Sequence, residues 1–268
     1  MGLFDKLKKK KTAAENENGG FVGFALLADN SWDKAQIVRD LKDEWGLDVT
    51  TDGDASEDIV FISAGTTMAS IALMPAPVPN GEAEQNAANN YMWPQAVEAA
   101  KSHQANLMAA VFGGEQDMMK KGELFVKLLH CCCKQKNILG VYTSGTVFEP
   151  SFYAAGADVM KEGELPILNW IWFGLYRREG GTCCYTYGME QFGKDEMEVL
   201  DADAQPSDVR NFLFDLVYYV LENDVVLNNG ETIGFSKDDK HSITRSKGES
   251  LPGKTLKISY LEIKNKPL

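Results

Sequence analysis

Basic side chains, histidines and long apolar runs are all scarce in this chain. Lys and Arg number 27 against 39 Asp and Glu, a formal net charge of −12 over 268 residues. Such a surface is poorly suited to neutralising phosphates, so binding to nucleic acid is not expected. No apolar run approaches the roughly 20 residues of a membrane span, and the N-terminus lacks the apolar core of a secretory signal. A mature chain starting near Met1, with no membrane span, is the expectation. Only three histidines are present, His103, His130 and His241, with no GxSxG elbow and no HExxH helix. Nor is there a CxxC pair: the five cysteines fall in two adjacent runs, Cys131-Cys132-Cys133 and Cys183-Cys184. Adjacent cysteines do not readily bond to each other, which excludes a secreted disulfide framework and fits a reducing cytoplasm. None of these patterns calls for a metal or a cofactor.

What the chain does have is ordinary globular material, 44% hydrophobic and 25% charged residues, enough for one large or two ordinary domains. Its charge is uneven. Met1 to Lys11 carries five Lys and one Asp, which leaves 22 basic and 38 acidic side chains for the rest. Leu3, Phe4 and Leu7 form a short apolar stripe among those lysines. A weak peripheral contact with an anionic membrane or a partner is one reading of this stripe, and a frayed solubilising terminus is the other. A Gly-Gly pair closes the segment, so residues 1–20 read as a disordered lysine-rich tail.

From Phe21 the hydrophobic pattern becomes regular. FVGFALL reads as a strand, and Asp33 opens a helix carrying Val38, Leu41 and Trp45. Leu47–Thr51, Ile59–Ser63 and Met68–Met74 read as antiparallel neighbours, closed by the Pro75–Pro79 run, whose prolines cannot donate to a ladder. Helical segments follow near Glu82 and Pro94, then a strand from Ala105 to Phe112. The second half repeats the grammar with a linking helix over 117–134, strands near 138–143, 167–177, 182–189 and 196–200, a helix from Ser207 to Glu222, and closing strands. The order predicts an α+β chain of two ferredoxin-like (split βαβ) halves, a divergent duplication with antiparallel sheets and helices packed on one face. The expected halves are residues 21–116 and 117–268.

Two acidic groups stand out. Glu190, Asp195, Glu196 and Glu198 form one, and Glu231 with Asp238, Asp239 and His241 forms the other. If Glu190, Glu196, Glu231, Asp239 and His241 converged, they could act as ligands or bases of a metal-assisted hydrolase. The alternation Glu196-Met197-Glu198-Val199 is more simply a half-buried strand with a solvated acidic face. His130 and the cysteines read as core, because consecutive helical positions point about 100° apart and cannot all reach one metal. Trp170, Trp172 and Tyr176, on an apolar strand, are candidate interface or pocket aromatics.

TYGMEQFGKDEMEVLD, FLFDLVYYVLEND and VVLNNGETIGFSKDDKHSI resemble the bacterial family catalogued as domain of unknown function 4261. The upstream LMPAPVPNGEAEQNAANNYMWPQAVEAAKSHQANLMAAVF is similar to what precedes that domain in its members. The resemblance implies a bacterial cytoplasmic setting and carries no activity, cofactor or catalytic residue. Three functions are compatible with the sequence. The first is a non-enzymatic protein-interaction module with a protein partner or self-association, its acidic surface meeting a basic partner. A small-molecule sensor using a cleft between the halves is the second, and the metal-assisted hydrolase is the third.

Overall fold

In the computed structural model, residues 20–50, 58–114, 117–236 and 239–260 are described. The expected tail therefore lies outside the described residues, except for Gly20. The chain divides into two compact units, Met1–Pro166 and Ile167–Leu268.

The first unit contains β1 (Phe21–Leu27), α1 (Lys34–Asp43), β2 (Asp48–Thr50), β3 (Ile59–Ala64), β4 (Thr67–Met74), α2 (Glu82–Ala87) and α3 (Ala96–Ser102). These are followed by β5 (Ala105–Gly113), α4 (Met118–Cys132), β6 (Ile138–Thr143), β7 (Thr146–Phe148) and α5 (Pro150–Asp158). Helix starts follow from local chemistry. Asp33 accepts from Gln36 N–H at the head of α1, and Asp117 accepts from Met119 and Lys120 N–H at the head of α4. The seven strands form one sheet in the order β2-β3-β4-β5-β1-β6-β7, with every pair antiparallel.

Two expectations are corrected here. A split βαβ unit separates the strands that flank a crossover helix, but β4 and β5, which flank α2 and α3, are adjacent and antiparallel. The two ferredoxin-like halves are therefore replaced by a mixed α/β chain with two dissimilar sheets. The expected boundary after residue 116 also moves, because β6 pairs with β1 and so belongs to the first unit. Long-range pairing of this kind leaves no local trace in hydrophobic periodicity.

The second unit contains α6 (Ile167–Trp170), β8 (Trp172–Arg178), β9 (Gly181–Tyr187), β10 (Met197–Ala202), α7 (Pro206–Glu222), β11 (Thr232–Ile233), β12 (His241–Lys247) and β13 (Lys254–Ile258). Its sheet runs β11-β12-β13-β10-β9-β8, and β10 and β13 are parallel. Along α7, Val209, Phe212, Leu213, Leu216, Val217, Val220 and Leu221 are buried at three-four spacing, and Phe214 lies 5.9 Å from Phe173 of β8 between ring centroids. The strand expected over 167–177 starts late. Ile171 N–H bonds to Ile167 O at 2.8 Å and closes a helical turn first, so Trp170 and Trp172 do not share a strand. A short apolar run does not by itself distinguish helix from strand.

Candidate functional site

The sheet of the first unit treats its two faces unequally. Ala25, Ile62, Ile71, Leu107 and Ala109 on one face are fully buried, and Phe21 of the same face stacks on Phe125 of α4 at 5.5 Å. The alternate residues face the other way. Register places Phe112 opposite Met68, and the next row on that face runs Val22, Ala110, Ser70, Phe61. Val22 is 57% exposed, Met68 47%, Phe112 41% and Phe61 37%. Within β1, β3, β4 and β5 neither row carries a charge, and the Phe112–Met68 row continues through Ser63 to exposed Asp48 of β2. Further along the same face Leu26 is closed off by Val78, Ala83, Ala87, Ala96 and Ala100, with Phe24 and Trp93 packed against the cluster. Helices α2 and α3 thus cover one end and leave the other open. Single exposed apolar residues are ordinary, whereas a contiguous, largely apolar patch on a sheet marks a contact surface.

The second unit places its carboxylates inside. Glu198 on β10 is fully buried. It accepts from Glu249 N–H at 3.1 Å, Ser250 N–H at 2.7 Å and Thr255 Oγ1 at 3.0 Å, and Lys257 Nζ stands 2.7 Å away. Burial alone raises its pKa, but Lys257 and the other donors outweigh that and hold it below the usual carboxylate range. The anchored loop joins β12 to β13, and a second tie runs from Tyr176 to Ser250 at 3.0 Å between hydroxyl oxygens. Register puts Glu198 opposite Tyr185 and Tyr185 opposite Gly174, where an added Cβ would stand 2.0 Å from the Tyr185 ring. Only glycine there admits the ring over β8.

Glu196 is also buried but has no cation beside it. It accepts from Thr186 Oγ1 and Gly188 N–H, each at 2.6 Å, and more distantly from Glu190 N–H. Burial raises its pKa, and the three donors only partly offset this. The expected solvated acidic face is therefore corrected. Residues 196–199 are all buried, because backbone amides, hydroxyls and one lysine replace the water those carboxylates would otherwise need.

Asp239 and His241 are brought together. His241 Nε2 lies 2.8 Å from Asp239 Oδ1, His241 Nδ1 is 2.8 Å from Ser259 O, and Asp239 Oδ2 accepts from Phe235 N–H at 2.9 Å. The imidazole packs against Phe212 at 4.5 Å. Both ring nitrogens are spent on structural acceptors, so neither is left to activate a nucleophile. Glu190 is exposed on a 3-10 turn, with its backbone rather than its carboxylate on Glu196. Glu231 is exposed and accepts from Asn228 N–H at 2.8 Å within its own turn. The five candidate acidic and histidine positions thus occupy three places. Among the described residues no group of three His, Cys, Asp or Glu side chains is positioned to hold a metal ion.

The remaining histidines are committed in the same way. His103 accepts from Val78 N–H at 2.8 Å through Nε2, and its Nδ1 meets Ala100 O. His130 accepts from Trp45 Nε1–H at 3.2 Å through Nδ1, and its Nε2 lies 3.3 Å from Asp158, while burial pushes its pKa down. Burial drives the Cys131 and Cys184 thiols up to about 12 and the Cys132 and Cys133 thiols upward too, so these remain unreactive thiols. Trp170 and Trp172 are buried, with Trp170 4.9 Å from Phe192, and Tyr176 is spent on the loop.

Residues 185–259 match the family described as Domain of unknown function (DUF4261). No curated protein and no solved structure matches the chain. The matched segment runs from within β9 to the residue after β13, and so contains Glu196, Glu198 with its loop, Asp239, His241 and Ser259. In the DUF4261 segment the buried charges therefore tie the sheet together. Sequence reasoning missed the open face of the first unit, although its signal was present: the strict alternation in MASIALM puts Met68, Ser70, Ala72 and Met74 on one side.

Proposed function

We propose that the chain is a non-enzymatic protein-interaction module whose contact surface is the open face of β1, β3, β4 and β5. One observation carries the reading: Val22, Phe61, Met68 and Phe112 lie together on two adjacent rows of one face and are 37–57% exposed. The partner is a polypeptide that presents apolar side chains, rather than the basic partner suggested by net charge alone. Spent histidine nitrogens and upward-shifted thiols remove the side chains on which a hydrolase would draw. Five free cysteines, four of them buried, are consistent with a reducing cytoplasmic setting. No helix among the described residues is long and apolar enough to cross a membrane.

The test is photo-crosslinking in cells of the source organism, with a photoreactive residue at position 112 or, as control, at exposed Tyr219 of α7. A discrete one-to-one adduct from position 112, absent from position 219 and abolished by Met68→Asp, is the expected result. Equal adducts from both positions, or none from position 112, would overturn it.

A further inference from the structure

We infer that the open face receives an amphipathic helix of a partner protein, with its apolar stripe on β1, β5, β4 and β3 and a Lys or Arg on the flank that meets Asp48. The inference names the partner class for the interaction reading and rests on it. Each of those four strands has a neighbouring strand on both sides, so the patch is a face and not an edge to which a partner strand could add. Helices are what cover this sheet elsewhere. Phe125 of α4 stacks on Phe21 on the opposite face, and α2 and α3 close the far end of the open one. A further helix beside α2 and α3 completes that layer.

Size and charge narrow the occupant. Three rows, Phe112–Met68, Val22–Phe61 and Phe24–Met108–Ile59, follow one another along the strands. They span about 14 Å, the length of roughly nine helical residues. Val22, Phe61, Met68 and Phe112 together expose on the order of 350 Å², well short of the roughly 800 Å² that each side of a stable protein–protein interface buries. The patch therefore suits one short segment better than a second copy of this chain, which would also bring another carboxylate and no cation. Asp48 is the one charged residue among the described strands of this sheet. It is exposed in the Phe112–Met68–Ser63 row, and no described basic side chain pairs with it. The helical layer beside it is acidic too, with Glu82, Glu84 and Glu98 against Lys101. Apolar burial then supplies the affinity, while a cation on the partner fixes which way round the helix sits.

The probe is a random twelve-residue peptide library displayed on phage and selected on the purified full chain. Enriched peptides should carry apolar residues at i, i+3, i+4 and i+7 with a Lys or Arg flanking the stripe. Made synthetically, the leading peptide should bind Phe112→Ser at least tenfold more weakly in fluorescence anisotropy. Asp48→Lys should weaken it about threefold, and changing the peptide's basic residue to Glu should recover that loss. Enrichment of alternating, proline-rich or acidic peptides, no enrichment, or equal binding to Phe112→Ser would overturn the helix. An unchanged affinity for Asp48→Lys would overturn its cation. Photo-crosslinking from position 112 in cells separates these failures from that of the interaction reading: a discrete adduct leaves the reading standing without the helix, and its absence overturns both.

Discussion

The two sheets of this protein handle side chains that do not belong on their surfaces in opposite ways. In the first unit, Val22 and Met68 are 57% and 47% exposed on the open face, so apolar area remains in water. In the second, Glu198 is fully buried and sustained by two backbone amides, a hydroxyl and an ammonium. Exposed apolar area costs little in the isolated chain, because the unfolded state exposes it as well. A buried carboxylate costs much unless every donor is in place. The first arrangement leaves a surface available, while the second locks a loop. Substitutions should therefore harm stability in the second unit and association in the first.

The largest effect is expected at Glu198. Glu198→Ala removes the carboxylate beside Lys257, leaves two loop amides without their acceptor and should cost about 3–5 kcal/mol in urea unfolding of the full chain. A cost below that of an ordinary surface change would mean the loop is not held by this carboxylate. Asp239→Ala leaves His241 and Phe235 N–H without their acceptor and should cost about 2 kcal/mol by the same measurement.

Next comes an opposed pH dependence. Glu198 has a depressed folded pKa, so its contribution is present above the unfolded carboxylate pKa of about 4.3 and is lost as pH falls through the folded value. Glu196 has a raised folded pKa. Its contribution is complete below the unfolded value and declines as pH rises through the folded one. Unfolding free energies of Glu198→Gln and Glu196→Gln from pH 3 to 7 should therefore diverge from the parent chain in opposite directions. Parallel curves would remove the distinction between the two sites.

The smallest change in stability belongs to the open face. Phe112→Ser should shift unfolding by no more than about 0.5 kcal/mol yet abolish the one-to-one adduct expected when the photoreactive residue is placed at position 68 instead. A large loss of stability would show that Phe112 belongs to the core after all.

Local elements were legible where composition and spacing act locally. Asp33 caps its helix as read, α7 buries the stripe seen in FLFDLVYYVLE, and the strands at Phe21–Leu27 and Ala105–Gly113 fall where alternation and β-branching place them. The acidic pair in EMEV was misread because sequence records that Glu196 and Glu198 share a side of the strand, but not what covers that side. Their partners lie at Thr186, Gly188, Ser250 and Lys257, up to 59 positions away. The same holds for His241, grouped by sequence with Glu231 and Asp239 and found buried against Phe212 and Ser259.

By itself the sequence determined the class of element at most positions, the buried character of the cysteines, and the DUF4261 likeness of the C-terminal segment, because each depends on neighbours within a few residues. Tertiary structure alone decided the order of the strands, which carboxylates lose their water, and which face of the first sheet remains open. Those outcomes depend on pairings such as β1 with β6 and Glu198 with Lys257, whose free energy is gained only when distant segments meet.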